Sequence, residues 1–215
     1  DVLDDGNICA LVMEYVEGPA LDEWIYDDSV EKSIPVVLGM FRGIALGVAA
    51  AHRAGLVHRD LKPDNVLLAP SNAGLIPKIT DFGLVKVLAG SGTQSGVLMG
   101  TPEYMSPEQV RDSASVDART DLWALGVLLY EMLSGEVPFA ADEVHETYVQ
   151  IVNDDFLPLR ELRPDVPAQI EDAVNRLLSK KPDDRFQTAE ELLEALFPDG
   201  RLVSHNPQLA TAQLL

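Results

Sequence analysis

The chain has 215 residues, 47% of them apolar and 24% charged, which suits one globular domain with a sizeable core and excludes a disordered or fibrous chain. Sixteen Lys and Arg against thirty-five Asp and Glu leave a formal net charge of −19. That balance excludes the basic footprint of a nucleic-acid binder and disfavours an electrostatic hold on an anionic membrane.

Cys9 is the only cysteine, so an internal disulfide and a cysteine-based zinc site are both ruled out. His52, His58, His145 and His205 show no metal-ligand spacing. No apolar run is expected to span a membrane, because Arg42 interrupts 36–51 and Glu131 and a glycine interrupt 122–133. No signal peptide is visible. A cytoplasmic setting is the expectation for these residues, with any membrane anchor lying outside them. The start at Asp1, close before a strand-like run, suggests a cut inside a fold.

Along the chain, the turn-like Asp4-Asp5-Gly6-Asn7 precedes Ile8–Val16, whose apolar and aromatic content predicts a buried strand closed by Gly18-Pro19. A short helix is predicted over Leu21–Tyr26. A long one runs from about Pro35, suited to a first helical turn, to Arg53, with Gly55 as its stop. Two short runs, Asn65–Leu68 and Lys78–Thr80, predict a small hairpin with polar loops at its ends. Residues 89–103 are dominated by Gly, Ser and Thr and predict a mobile segment.

Thr120–Ser134 is apolar nearly all round, so it predicts a helix buried at the centre of the domain and ended by Gly135. Helices are predicted near 143–153, 168–179 and 188–197. Thr188 and Glu191 carry the pattern of a capping box at the start of the last. From 198 to 215 a loose tail is expected.

The chemistry is concentrated in four ordered stretches. His58-Arg59-Asp60-Leu61-Lys62-Pro63-Asp64-Asn65 is followed by Asp81-Phe82-Gly83. Then come Gly100-Thr101-Pro102-Glu103-Tyr104-Met105-Ser106-Pro107-Glu108 and Asp121-Leu122-Trp123-Ala124-Leu125-Gly126. On these motifs the chain resembles the protein kinase family from residue 1 to about 197. The wording around Met105–Gln109 looks bacterial in style.

The resemblance implies an α+β fold. It would be a mainly helical, protein-kinase-like C-lobe around a buried central helix, with one remnant N-lobe strand and small β-hairpins at the catalytic cleft. Residues 1–197 would form a partial kinase domain, hinge plus C-lobe. The implied activity is transfer of the γ-phosphate of ATP, with Mg²⁺, to serine or threonine hydroxyls of protein substrates.

Phosphoryl transfer needs positioning and charge neutralisation more than covalent help. Asp60 would accept the proton of the substrate hydroxyl. Asn65 and Asp81 offer hard oxygens suited to Mg²⁺. Lys62 would reach the transferring group and, with Thr101 as its partner, marks serine/threonine specificity. Met13 to Val16 resemble gatekeeper and hinge, where backbone near Glu14 and Val16 would meet the adenine edge over a floor at Leu67.

Glu108 and Arg185 resemble a buried ion pair. Asp121 resembles the residue that braces the backbone at 58–60, and equally fits a helix N-cap. His58 is expected to be a core histidine, with Phe82 and Gly83 structural beside Asp81. Arg59, directly before Asp60, suggests control by a phosphate arriving on Ser91, Thr93 or Ser95, with Thr93 ranked first; these residues equally suit a merely flexible loop.

No GxGxxG stretch and no phosphate-holding strand lysine precede Met13. These belong to an upstream N-lobe segment, so the 215 residues alone are expected to be nearly inactive. A non-catalytic, kinase-like interaction module is the alternative, against which the set Asp60, Asn65 and Asp81 argues. A small-molecule phosphotransferase is disfavoured by Arg59 and by Ser106-Pro107-Glu108.

Overall fold

The computed structural model describes residues 2–4, 9–72, 74–82, 101–112 and 116–198. Two short strands, β1 (Val2–Asp4) and β2 (Cys9–Leu11), pair antiparallel with Val2 opposite Leu11. The predicted strand over 8–16 is therefore cut short. Beyond Leu11 the chain leaves the ladder, and Val12, Met13 and Tyr15 are 49%, 55% and 86% exposed rather than buried. Apolar composition favours a strand, but burial needs a partner surface, and none among the described residues covers this segment.

The chain meets the body again at Gly18, where an added Cβ would lie 2.0 Å from the Leu68 carbonyl oxygen. Only glycine permits that approach. Leu68 N–H donates to the Pro19 carbonyl at 2.9 Å, so residues 18–20 lie against the strand that carries Leu67 and Leu68.

Helix α1 (Leu21–Tyr26) and helix α2 (Ile34–Arg53) follow as predicted, with Pro35 in the first turn of α2. Gly55 ends α2. The Leu56 N–H reaches the Ala51 carbonyl at 3.0 Å, closing the last turn. Contrary to the sequence expectation, α2 is long and apolar enough to cross a membrane by length and composition. Its Val37, Phe41, Ile44, Ala45 and Val48 are nevertheless buried, and it packs against three other elements, which is the packing of a core helix. Each of the larger ones, Val37, Phe41, Ile44 and Val48, contributes roughly 1.5–3 kcal/mol of burial.

A 3₁₀ turn (Pro63–Asn65) leads into β3 (Val66–Ser71), paired antiparallel with β4 (Gly74–Ile79) from Val66 opposite Ile79 to Ser71 opposite Gly74. The hairpin is longer than predicted. A second 3₁₀ turn (Pro102–Tyr104) and helix α3 (Pro107–Asp112) follow. Residues 101–103, expected within a mobile segment, are thus structured; 89–100 lie outside the described residues.

Helix α4 (Arg119–Ser134) is buried at every position from Thr120 to Leu133, as its all-round apolar pattern requires. Helices α5 (Val144–Asn153), α6 (Leu159–Leu162), α7 (Ala168–Leu177) and α8 (Ala189–Leu196) complete the body. The short α3 and α6 were not anticipated. At α8 the capping box is displaced by one residue. Thr188 Oγ1 accepts from Glu191 N–H at 3.1 Å, while the Glu191 carboxylate accepts from Gln187 N–H at 2.7 Å. The tail expected from 198 lies, beyond Pro198, outside the described residues.

The core has α4 at its centre, packed against α2 and α7, with α2 in turn against β4 and α8. The hairpin β3–β4 lies on the α2 side, and the ends of this scaffold hold the site.

Candidate active site

The foundation is Asp121, in the first turn of α4 and 1% exposed. Its Oδ1 accepts from Arg59 N–H, and its Oδ2 from His58 N–H and His52 Nε2, each at 2.8 Å. The N-cap of α4 is Ala118, so the capping alternative for Asp121 falls and the brace remains. Two backbone donors that would otherwise be buried unpaired are thereby satisfied.

The brace holds a strained backbone. Arg59 has φ 69°, a left-handed conformation that costs a non-glycine residue about 1–3 kcal/mol. His58, 1% exposed, locks the next step. Its Nδ1 accepts from Asp60 N–H at 3.3 Å, which leaves Nε2 to donate to the Thr80 carbonyl at 2.7 Å. Its ring lies 4.8 Å from that of Phe82. His58 is a core histidine, as expected, with both nitrogens in use.

Asn65, 7% exposed, uses its amide nitrogen on Asp60: to the backbone carbonyl at 2.7 Å and to Oδ2 at 3.2 Å. The Thr80 N–H donates to the Asn65 carbonyl at 2.9 Å, one rung beyond the Val66–Ile79 pair. That rung puts Asn65 and Asp81 at the same end of the hairpin. Asp81 has φ 61°, a second strained aspartate-bearing turn.

Asp60 and Asp81 form no ion pair among the described residues. No group of three or more Asp, Glu, His or Cys is placed to cage a metal among the described residues. One amide oxygen and one carboxylate without a cation fit Mg²⁺, which takes one or two protein oxygens and completes its shell with phosphate and water. Lys62 Nζ donates to Thr101 Oγ1 at 2.9 Å, bringing together another predicted pair.

Glu108 and Arg185 form the expected ion pair, two parallel bonds of 2.7 and 2.8 Å. Arg185 is fully buried, donates also to the carbonyls of Ser179 and Arg119, and stacks 5.0 Å from the Trp123 ring. Removing one partner costs about 3–5 kcal/mol.

The sequence model of the protein kinase domain family matches residues 1–197. This chain belongs to that family. Over 186 residues it is 41% identical to the serine/threonine-protein kinase PknL of Mycobacterium tuberculosis, covering 86% of this chain and 45% of that protein. It is 36% identical over 197 residues to a probable serine/threonine-protein kinase of Clostridium acetobutylicum, covering 91% and 29%. It is 36% identical over 194 residues to the serine/threonine-protein kinase PknB of Mycolicibacterium smegmatis, covering 87% and 30%. The chain thus spans less than half the length of each of these relatives.

Two parts of this kinase domain escaped the sequence reading. Gln109 ties three pieces together: its Nε2 donates to the Arg59 carbonyl at 2.7 Å, and its Oε1 accepts from Ser106 N–H and Thr120 Oγ1. Glu131, 1% exposed, accepts from the Tyr26 and Tyr104 hydroxyls, both at 2.7 Å. Burial pushes the Glu131 carboxyl up, opposed by those two donors, and burial together with Glu131 pushes both phenols up. No local sequence signal marks Glu131, whose partners are distant in the chain, whereas Ser106 and Gln109 carry the Ser-x-x-Gln pattern of a capping box, completed by Gln109 N–H donating to Ser106 Oγ at 3.3 Å.

In the segment expected to be the hinge, Glu14 pairs with Lys78 of β4, Met13 is exposed, and Val16 is half-buried. Leu67 is half-buried and bridges to Ala20. The Arg59 guanidinium donates to the Val116 carbonyl at 3.3 Å and meets no carboxylate among the described residues. Gly83, Ser91, Thr93 and Ser95 lie outside the described residues.

Proposed function

We propose that this chain is the larger part of the catalytic domain of a serine/threonine protein kinase that phosphorylates proteins from ATP. The observation that carries the proposal is the Asp60 carboxylate: it has no cationic partner among the described residues, is held by Asn65, and stands at the hairpin end that also bears Asp81.

In this reading Asp60 accepts the proton of a serine or threonine hydroxyl as that oxygen attacks the γ-phosphorus. The new O–P bond forms while the bond to the ADP oxygen breaks, and the proton held by Asp60 passes to solvent. Lys62, placed by Thr101, offsets charge on the transferring group. Asn65 and Asp81 would hold Mg²⁺, which neutralises phosphate charge when bound. Met13, Glu14, Val16 and Leu67 would meet the adenine.

Regulation belongs to the same proposal. A phosphate on Thr93, or on Ser91 or Ser95, would give the Arg59 guanidinium an anion that no carboxylate among the described residues supplies.

The test joins a kinase N-lobe, with its glycine loop and strand lysine, upstream of this chain and measures ³²P transfer from γ-labelled ATP to a generic basic protein. Label is expected on serine and threonine with Mg²⁺ present, and none with Asp60→Asn. Equal labelling by the Asp60→Asn protein would overturn the assignment.

A further inference from the structure

Gln109 lies in the first turn of α3, half-buried, one residue beyond the motif that ends at Glu108. Its neighbours fix which way its amide points. Oε1 faces two donors, Ser106 N–H at 3.0 Å and the Thr120 hydroxyl at 2.7 Å, and Nε2 faces an acceptor, the Arg59 carbonyl, at 2.7 Å. Ser106 and Thr120 are 0% and 1% exposed, and their hydroxyls bond to each other at 2.8 Å. Since Thr120 donates to Gln109, Ser106 Oγ donates to Thr120 and accepts from Gln109 N–H at 3.3 Å. The ring of bonds closes on itself and leaves one donor, Nε2, for the catalytic segment.

That donor meets the chain at a strained point. Arg59 keeps its left-handed φ while Asp121 takes its N–H. The next peptide joins Arg59 to Asp60. Its carbonyl accepts from Gln109, and its N–H donates to His58 Nδ1 at 3.3 Å. Rotation of this peptide would relieve strain at Arg59, but it would break both bonds and turn the Asp60 backbone together with its carboxylate.

The same stretch of chain holds the catalytic segment again beyond Asp60, where Thr101 Oγ1 accepts from Lys62 Nζ at 2.9 Å. Residues 101–109 thus grip the chain one residue before Asp60, through its backbone, and two residues after it, through a side chain.

We propose that Gln109 is a positioning residue for phosphoryl transfer. Through the Arg59 carbonyl it fixes the peptide before Asp60, and so aims the Asp60 carboxylate at the substrate hydroxyl. The proposal rests on the reading of Asp60 as the proton acceptor. Misplacing a reacting group by about 1 Å can cost about 10²-fold in rate, so a single donor outside the reacting set has leverage here.

The test compares two substitutions in the full-length protein, assayed at about pH 8 with saturating ATP for ³²P transfer to a generic basic protein. Gln109→Glu keeps an acceptor for Ser106 N–H and the Thr120 hydroxyl, but an ionised carboxylate cannot donate to the Arg59 carbonyl. Gln109→Met, similar in length, loses both halves of the amide. Positioning predicts a fall in kcat of about tenfold or more in both variants, with KM for ATP within about twofold of the unaltered protein. Tm should fall further in Gln109→Met than in Gln109→Glu. A role confined to starting α3 predicts instead that Gln109→Glu keeps both its Tm and its kcat. Activity that follows Tm across the two variants, or an unaltered kcat in either, would overturn the proposal. Asp60→Asn in the same assay separates the two readings. Full activity there would overturn the role of Asp60 and this proposal with it, whereas an inactive Asp60→Asn beside a fully active Gln109→Glu would overturn this proposal alone.

Discussion

Asp60 and Asp121 carry the same carboxylate and belong to the same site, but they are treated in opposite ways. Asp121 is 1% exposed and saturated by two backbone N–H groups and a histidine ring. Asp60 is half-buried, and among the described residues its carboxylate bonds only to the Asn65 amide. One is consumed by the backbone it holds; the other keeps an oxygen without a partner among the described residues. The strained residues, Arg59 and Asp81, lie on the second side of that division, and the buried polar groups beneath them keep the strain in place. An irregular, partly unsatisfied rim is stable here because a saturated base underlies it.

The sharpest way to break this comparison is to neutralise each aspartate in turn, in the chain joined to an N-lobe. Asp60→Asn should lower kcat by about 10²–10⁴-fold while leaving the unfolding free energy within about 0.5 kcal/mol. A large stability loss would show that Asp60 is structural after all. Asp121→Ala should behave differently, since it leaves the His58 and Arg59 N–H groups buried without acceptors. Urea unfolding should show a loss of about 2–5 kcal/mol, with activity falling alongside. A stable but inactive Asp121→Ala protein would move Asp121 to the ligand-facing side of the division.

A smaller effect sharpens the rim itself. Thr101→Ala removes the partner of Lys62 and should reduce kcat/KM by about tenfold, near the worth of one charge-assisted hydrogen bond. Thr101→Ser should restore most of it; failure of serine to rescue would mean that the threonine methyl, not the hydroxyl, matters.

The smallest expected effect lies in the body. Burial lowers the Lys180 ammonium from 10.5 to about 8. The folded state therefore holds this proton less tightly than the unfolded chain. The favourable contribution of the group is complete above 10.5 and is lost as pH falls through about 8. On this account the urea midpoint should rise between about pH 8 and 9.5, and Lys180→Met should flatten that rise. The raised phenols of Tyr26, Tyr104 and Tyr130 oppose it only nearer their ordinary value of 10.0. Identical pH slopes in the two proteins would show that the lysine is solvated in solution.

Much of the fold was legible in the residues. The range expected for α1, Leu21–Tyr26, is the range found, the all-round apolar pattern of 120–134 marked the buried α4, and glycine's left-handed freedom accounts for the stops at 55 and 135. The strand at 8–16 was overextended, because composition records a preference for strand but not whether another surface lies alongside. Glu108 and Arg185 were paired through resemblance to known kinases, whereas Gln109 and Glu131 stayed invisible. Nothing near Glu131 announces partners 27 and 105 positions away, and the local Ser106–Gln109 capping pattern does not announce the Arg59 carbonyl 50 positions away.

By itself, then, the amino-acid order determined the elements and the inventory of reactive groups, since helix, strand and turn preferences act over a few neighbouring residues. Only the tertiary structure decided which aspartate is saturated and which is left open. That depends on donors arriving from segments far apart in the chain, and on how completely their packing excludes water.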